Sequence, residues 1–519
     1  MKLQFRKNAR PHPCPLPQER ENRSRVSGIA EALAGSWRLP ASTERAPIAN
    51  SRNKFSRGAD CLSLSQGERA GERASVTHTF LNQAIATLVG LLFVGSPASA
   101  ETLLLAGAAV HTVSGATIAQ GDVLIQDGKI KGVFDASPNH LTRVIYPTNA
   151  QTIDLTGLHF YPGLIALNTE LGLVEIGAIR ATHDDREVGE LTPEVQSWLA
   201  VNPDSELLAV ARANGVAYFE PVPLGALVAG QSGLLALDGW TSEQMTVKKA
   251  VALHVFWPGM GLDMTPKERA ADPKKWKSLE DQASEHREKL KALEDFFDEA
   301  RAYAKAKDAA EDAAAFRKVP SWEAMLPVVR GEVPITVHAD DVREIRAAVK
   351  WAEANHFRII LAEARDAWRA AGLLASNNIP VIYNHVFTQP VRDSDAYDAH
   401  FTAPALLQRA GVKLVFGLSG ARDSLVKNLP YDVAQAVAFG LPADEALKGI
   451  TLYPAQLAGV GDRLGSIEAG KDATIFACDG DILDIRTNVK RMWIAGREVS
   501  LESRHTRFYE KYKNRPKAK

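Results

Sequence analysis

Imidazoles and carboxylates sit at the ends of several apolar runs in this chain, and their spacing raises the question of a metal. The stretch "PGLIALNTELGL" (residues 162–173) is a Pro-Gly opening followed by an apolar strand that ends on Asn168 and Glu170. His338 closes an apolar run in "PITVHADD", Glu363 closes another in "RIILAEARDAW", and His385 ends "IPVIYNH". Neutral imidazole and carboxylate are donors that suit zinc. A bound divalent metal lowers the pKa of its water from about 15.7 to about 7 and polarises a carbonyl, which is the chemistry of metal-assisted hydrolysis. Asn168 is a weaker candidate ligand, because its amide oxygen is neutral, and it reads better as a hydrogen-bonding group that meets a substrate.

Other chemistries lack their signatures. The chain has no Gly-x-Gly-x-x-Gly or phosphate-loop pattern, no Gly-x-Ser-x-Gly elbow and no catalytic cysteine context. Asp340 and Asp341 follow His338 directly, where acids favour the start of a helix. His183 and His254 carry no motif and read as ordinary polar residues.

The bulk composition narrows the partners. A formal net charge of -1 over 519 residues gives no basic excess, which argues against nucleic acid. No run of eighteen apolar residues exists to span a membrane as a helix. Three cysteines, Cys14, Cys61 and Cys478, cannot build a disulfide framework. The expected partner is a small-molecule substrate or ligand, and the reading leaves room for a homo-oligomer.

The elements that must position these residues follow from periodicity. Short apolar runs at 158–167, 215–220, 234–237, 251–256, 334–338, 358–362, 380–384 and 413–417 read as strands. Helical stretches between several of them, such as 341–355 and 366–376, point to a parallel (β/α)8 TIM-type barrel over 158–462. β-type runs at both ends, 101–157 and 463–519, read as one small composite β-sandwich. Asp127-Gly128 between two apolar runs predicts a tight hairpin. A Lys-, Glu- and Ala-rich segment near 266–317 reads as an inserted amphipathic helix, with Leu290, Leu293, Phe297, Ala300 and Ala304 on its apolar face. Its charges form a solvated face, a lid or a dimer contact. Gly225, Gly230 and Gly233 in "LGALVAGQSGLLALDG" read as a loop that brings backbone close to the mouth.

Residues 1–75 have no structural period; they read as translated non-coding sequence upstream of the true start, or as a disordered leader. The apolar run Ala84–Val94 and the small-residue site Ala98-Ser99-Ala100 give 76–100 the grammar of a secretory signal. No methionine falls between Met1 and Met245, so this reading needs an alternative start codon, such as at Val76. The expected location is the periplasm or the cell exterior, with a mature chain starting at Glu101. N-terminal sequencing of protein from its native host should therefore begin at or near Glu101. Recovery of residues 1–70 in the mature product would sink both halves of this expectation.

From "DGKIKGV", "IDLTGLHFYPGLIALNTELGL" and "GITLYPAQLAGVGDRLGSIEAGKDATIF" the chain resembles the amidohydrolase superfamily, closest to its exported imidazolonepropionase-like members. The resemblance covers nearly all of residues 101–500 and implies a metal-dependent hydrolase of non-peptide C–N bonds. In such proteins a His-x-His pair follows strand one, histidines end strands five and six, and an aspartate ends strand eight. Here Asn168 and Glu170 stand at the first pair, His338 keeps the strand-five histidine, Glu363 stands on strand six, and Ser419 stands where the aspartate belongs. The ligand motif is degraded. The resemblance then implies either a rearranged zinc site of Glu170, His338, Glu363 and His385, with Asn168 and Ser419 meeting substrate, or a non-catalytic ligand- or partner-binding barrel without metal.

Overall fold

The computed structural model describes residues 102–138, 146–225, 227–312, 316–418 and 422–516. The expected leader (1–75) and signal segment (76–100) lie outside the described residues, as does Ser419. The chain opens with five strands, β1 Thr102–Val110, β2 Ile118–Gln126, β3 Lys129–Asp135, β4 Gln151–Asp154 and β5 His159–Pro162. Eight follow: β6 Leu164–Thr169, β7 Val216–Pro221, β8 Val228–Ala236, β9 Thr246–Phe256, β10 Ile335–Ala339, β11 Ile359–Glu363, β12 Val381–Tyr383 and β13 Leu414–Phe416. Three close the chain: β14 Ile475–Cys478, β15 Val489–Ile494 and β16 Arg497–Glu498.

β6 to β13 hydrogen-bond in sequence order, with β13 lying beside β6 at the seam, which makes the TIM-type barrel. β6, β7, β8 and β10 are buried along their whole length, as continuous apolar strands covered on both faces require. One strand departs from the all-parallel expectation: β8 runs antiparallel to both β7 and β9. The described residues of the six-residue connection between β7 and β8 form no helix, and so short a link makes a hairpin, not a parallel crossover. Of the glycines expected in a mouth loop, Gly225 does lie in this connection. Gly230 and Gly233 belong to β8 itself, where a Cβ at Gly230 would stand 2.7 Å from the Val195 carbonyl oxygen.

β1–β5 and β14–β16 join in one sheet of order β16-β15-β14-β5-β1-β2-β3, with β4 beside β1. This is the composite β-structure expected from the two ends of the chain. The β2–β3 hairpin turns on Asp127 and Gly128, both at positive φ (53° and 73°), the requirement of a type I′ turn. Pro162-Gly163 is the corner where the chain leaves this sheet for the barrel. A Cβ on Gly163 would lie 2.5 Å from that of Ala217, so only glycine lets the two layers approach this closely.

Between β9 and β10 the helix Leu279–Asp308 starts on a Ser278/Asp281 capping box and buries Leu293, Phe296, Phe297, Ala300 and Ala304. Phe297 packs on Trp351 and Phe357, with ring centroids 5.1 and 5.0 Å away. That clamps the insertion to the helix Val342–Asn355, whose N-cap is Asp341.

Candidate functional site

The C-terminal ends of the barrel strands bring together Asn168 and Thr169 from β6, Glu220 from β7, His254 from β9, His338 from β10 and Glu363 from β11. Arg422, in the loop beyond β13, reaches into them. Its Nη1 donates to Glu363 Oε1 at 2.6 Å and to Asn168 Oδ1 at 3.2 Å. Its Nε donates to Glu170 Oε1 at 2.9 Å, with Nη2 2.7 Å from the same oxygen. The Glu170 N–H donates to the Arg422 carbonyl at 3.0 Å, so backbone and side chain of Arg422 together tie the mouth across the β6–β13 seam.

Behind this layer runs a buried polar chain. His338 Nδ1 lies 3.3 Å from Glu363 Oε1, and its Nε2 lies 2.9 Å from His254 Nδ1. His254 Nε2 faces Glu220 Oε1 at 3.7 Å. Glu220 also accepts from the Asn168 N–H at 3.1 Å and the Ser232 hydroxyl at 2.6 Å. The Phe256 ring stacks on His338 with centroids 4.1 Å apart, which holds the imidazole plane.

Burial drives His338 down to about 4, against the pull of Glu363. Burial alone would raise Glu363, but the His338 hydrogen bond and the Arg422 charge outweigh it and hold the carboxyl at about 2. Glu220 goes the same way: burial raises it, while nearby His254, Ser232 and the Asn168 N–H bring it below the usual range. At neutral pH His338 is therefore neutral and both carboxyls are ionised. His338 Nδ1–H then donates to Glu363, and Nε2 accepts from His254.

Strain gathers here as well. Asn168, Glu363 and Ala364 have φ of 57°, 65° and 63°, in the left-handed region that costs a non-glycine residue energy. Asparagine tolerates it; glutamate and alanine do so only when their surroundings hold them.

The sequence-derived residues divide. Glu170, Glu363, His338 and Asn168 come together, although as one network around a guanidinium and not around an open ligand site. His385 does not join that network: its Nε2 pairs with Asp340 at 2.8 Å and its Nδ1 with the Thr388 hydroxyl at 3.0 Å. A strand end fixes the face on which a residue stands, but not the partner it turns to, and Asp340 from β10 reaches His385 first. Asp340 thus serves His385, and only Asp341 caps the helix. Glu220, His254, Ser232 and Arg422 were missed. Glu220 ends an apolar run just as His338 does, and that position was the available signal; His254 lies inside its run, two residues before the end of β9.

As arranged, these donors do not fit a divalent metal. Both nitrogens of His338 and of His385 are engaged, and Glu170 and Glu363 are already paired with a cation. Among the described residues no three His, Cys, Asp or Glu side chains are grouped to hold a metal ion. A unit charge about 4 Å from a guanidinium is repelled by roughly 4 kcal/mol at a protein surface, and a dication by about twice that.

Eight strands closing into a barrel, with acid and imidazole groups at their C-terminal ends, define a TIM-type barrel with a polar site at the face where such barrels carry their chemistry. The amidohydrolase family profile matches residues 248–499. The amidohydrolase of Thermotoga maritima MSB8 has a similar structure, with a TM-score of 0.65 and 26% identity, covering 77% of this chain and 99% of that one. Amidohydrolase tasK of Hapsidospora irregularis is 24% identical over 417 residues, 72% of this chain. The match spans 39% of that relative's length. Residues 248–499 thus match the amidohydrolase family, and the described chain is similar in sequence and fold to amidohydrolases. No described helix is long and apolar enough to cross a membrane.

Proposed function

We propose that the protein hydrolyses a non-peptide C–N bond in a small molecule bound at the barrel mouth, using the Arg422 network itself. The observation that carries this reading is Arg422, held by Glu170, Glu363 and Asn168 at the C-terminal ends of the strands. A guanidinium has five N–H donors. The contacts to those three residues use Nε, both protons of Nη1 and one of Nη2. The remaining Nη2 proton is the donor for a substrate carbonyl oxygen as negative charge develops on it. Glu170, at the mouth, takes the proton of the attacking water and returns it to the leaving nitrogen as the C–N bond breaks, while Glu363 and His338 fix the guanidinium plane. The Ala84–Val94 run and Ala98-Ser99-Ala100 support placing this activity in the periplasm or outside the cell.

The test is a panel of cyclic amides, imides and N-acylated amines, assayed for formation of the carboxylate product in the presence of a chelator. For an active compound, Arg422→Lys and Glu170→Gln should each lower kcat by roughly 100-fold or more. Compounds that bind and raise the melting temperature but are never hydrolysed would refute hydrolysis. They would favour the second reading, a ligand-binding barrel, which is supported by the pairing of every acid in the network and the weak basicity of Glu363 at about 2.

A further inference from the structure

Three oxygens from two strand ends converge on one guanidinium. Glu170 Oε1, Glu363 Oε1 and Asn168 Oδ1 lie 2.7, 2.6 and 3.2 Å from Arg422 nitrogens. The side chains of Arg422, Glu170 and Glu363 are only 13%, 19% and 23% exposed, so solvent does little to screen them. Glu220, also ionised, stands one histidine pair further in. Without the guanidinium, three carboxylates and two imidazoles would share a confined space with no cation.

We propose that Arg422 is a built-in counter-cation: it neutralises this acid cluster, keeps metal out of the mouth, and conceals a divalent-cation site. Removing its side chain exposes Glu170, Glu363 and His338 as two carboxylates and an imidazole, a donor set that zinc accepts. His338 Nδ1 becomes a ligand by a tautomer shift that conserves protons: His338 carries its proton on Nε2 and donates to His254 Nδ1, while His254 carries its own on Nε2, facing Glu220. The backbone bond from Glu170 N–H to the Arg422 carbonyl survives the substitution, so the seam keeps its anchor.

The experiment measures zinc stoichiometry and melting temperature, with and without added zinc, on the full chain after chelation and exchange. The parent and Arg422→Lys should hold essentially no zinc and melt at the same temperature in its presence. Arg422→Ala should bind close to one zinc per chain and gain a melting temperature that climbs with zinc concentration. Adding Glu170→Gln and Glu363→Gln to Arg422→Ala should abolish that gain. If Arg422→Ala folds only when zinc is supplied, the proposal is supported. It is overturned if the parent binds stoichiometric zinc that Glu170→Ala removes, or if folded Arg422→Ala takes none. It is equally overturned if zinc fails to rescue Arg422→Ala while the triple variant folds. No readout involves turnover, so a protein that hydrolyses nothing leaves the proposal standing.

Discussion

Deleting residues 463–519 should destroy the cooperative melt of the whole described chain, not merely trim its end. β14 is an interior strand, paired with β5 from Ile475↔Pro162 to Cys478↔His159 and with β15 from Ile475↔Trp493 onward. Phe476 stacks on Tyr161 at 5.6 Å and covers Gly215 at the start of β7, so it fastens the terminal sheet to the barrel. Phe476 and Trp493 are 0% and 1% exposed. Removing one such aromatic costs roughly 3–5 kcal/mol, against a usual total of about 5–15 kcal/mol for a domain. The deletion takes both and also bares the edge of β5, a template for aggregation. Calorimetry of the parent and of a chain ending at residue 462 checks this. A truncated protein that melts at the parent's temperature with the parent's enthalpy would overturn it. Trp493→Ala should show the same weakness in milder form.

The barrel was legible because its strands are buried on both faces and so read as unbroken apolar runs. Each of the eight runs overlaps one of β6–β13, although 158–167 also takes in β5 and 234–237 catches only the end of β8. Their direction was not legible, because an apolar run carries no polarity; β8 is antiparallel only because the 222–227 link is too short for a crossover. The site was half legible. Glu170, His338 and Glu363 stand out as polar groups closing apolar strands, and they do meet. Glu220 ends its run in the same way but matched no motif, and His254, inside the run 251–256, read as an ordinary polar residue. Arg422 escaped for a chemical reason: a search for donors to a cation passes over the residue that supplies the cation. Its contacts to Glu170 and Glu363 span 252 and 59 residues of sequence, and no local pattern encodes them.

Acidification should weaken the fold well before the carboxylates titrate. His338 has an ordinary value of 6.5 and is held at about 4 in the folded protein, chiefly by burial. As pH falls below 6.5 the unfolded chain takes up this proton while the folded chain refuses it. The neutral imidazole's contribution is thus fully present above 6.5 and is lost between 6.5 and 4. A gap of that size corresponds to about 3 kcal/mol for one buried group. Below 4.5 the sign is the same for Glu363: its folded value of about 2 means that stability present above 4.5 drains as the unfolded carboxyl protonates first. His111, lowered to about 4 by burial and by the neighbouring His159, acts in the same window from the terminal sheet, so the slope alone does not isolate the site. His338→Asn separates them, because it removes the titrating ring while keeping a polar side chain against Glu363. Urea midpoints from pH 7.5 to 4.0 should fall steeply for the parent and distinctly less for His338→Asn, with His111→Asn accounting for part of the remainder. A parent midpoint that stays level across this range would show that His338 gains its proton without resistance and would overturn its depression by burial.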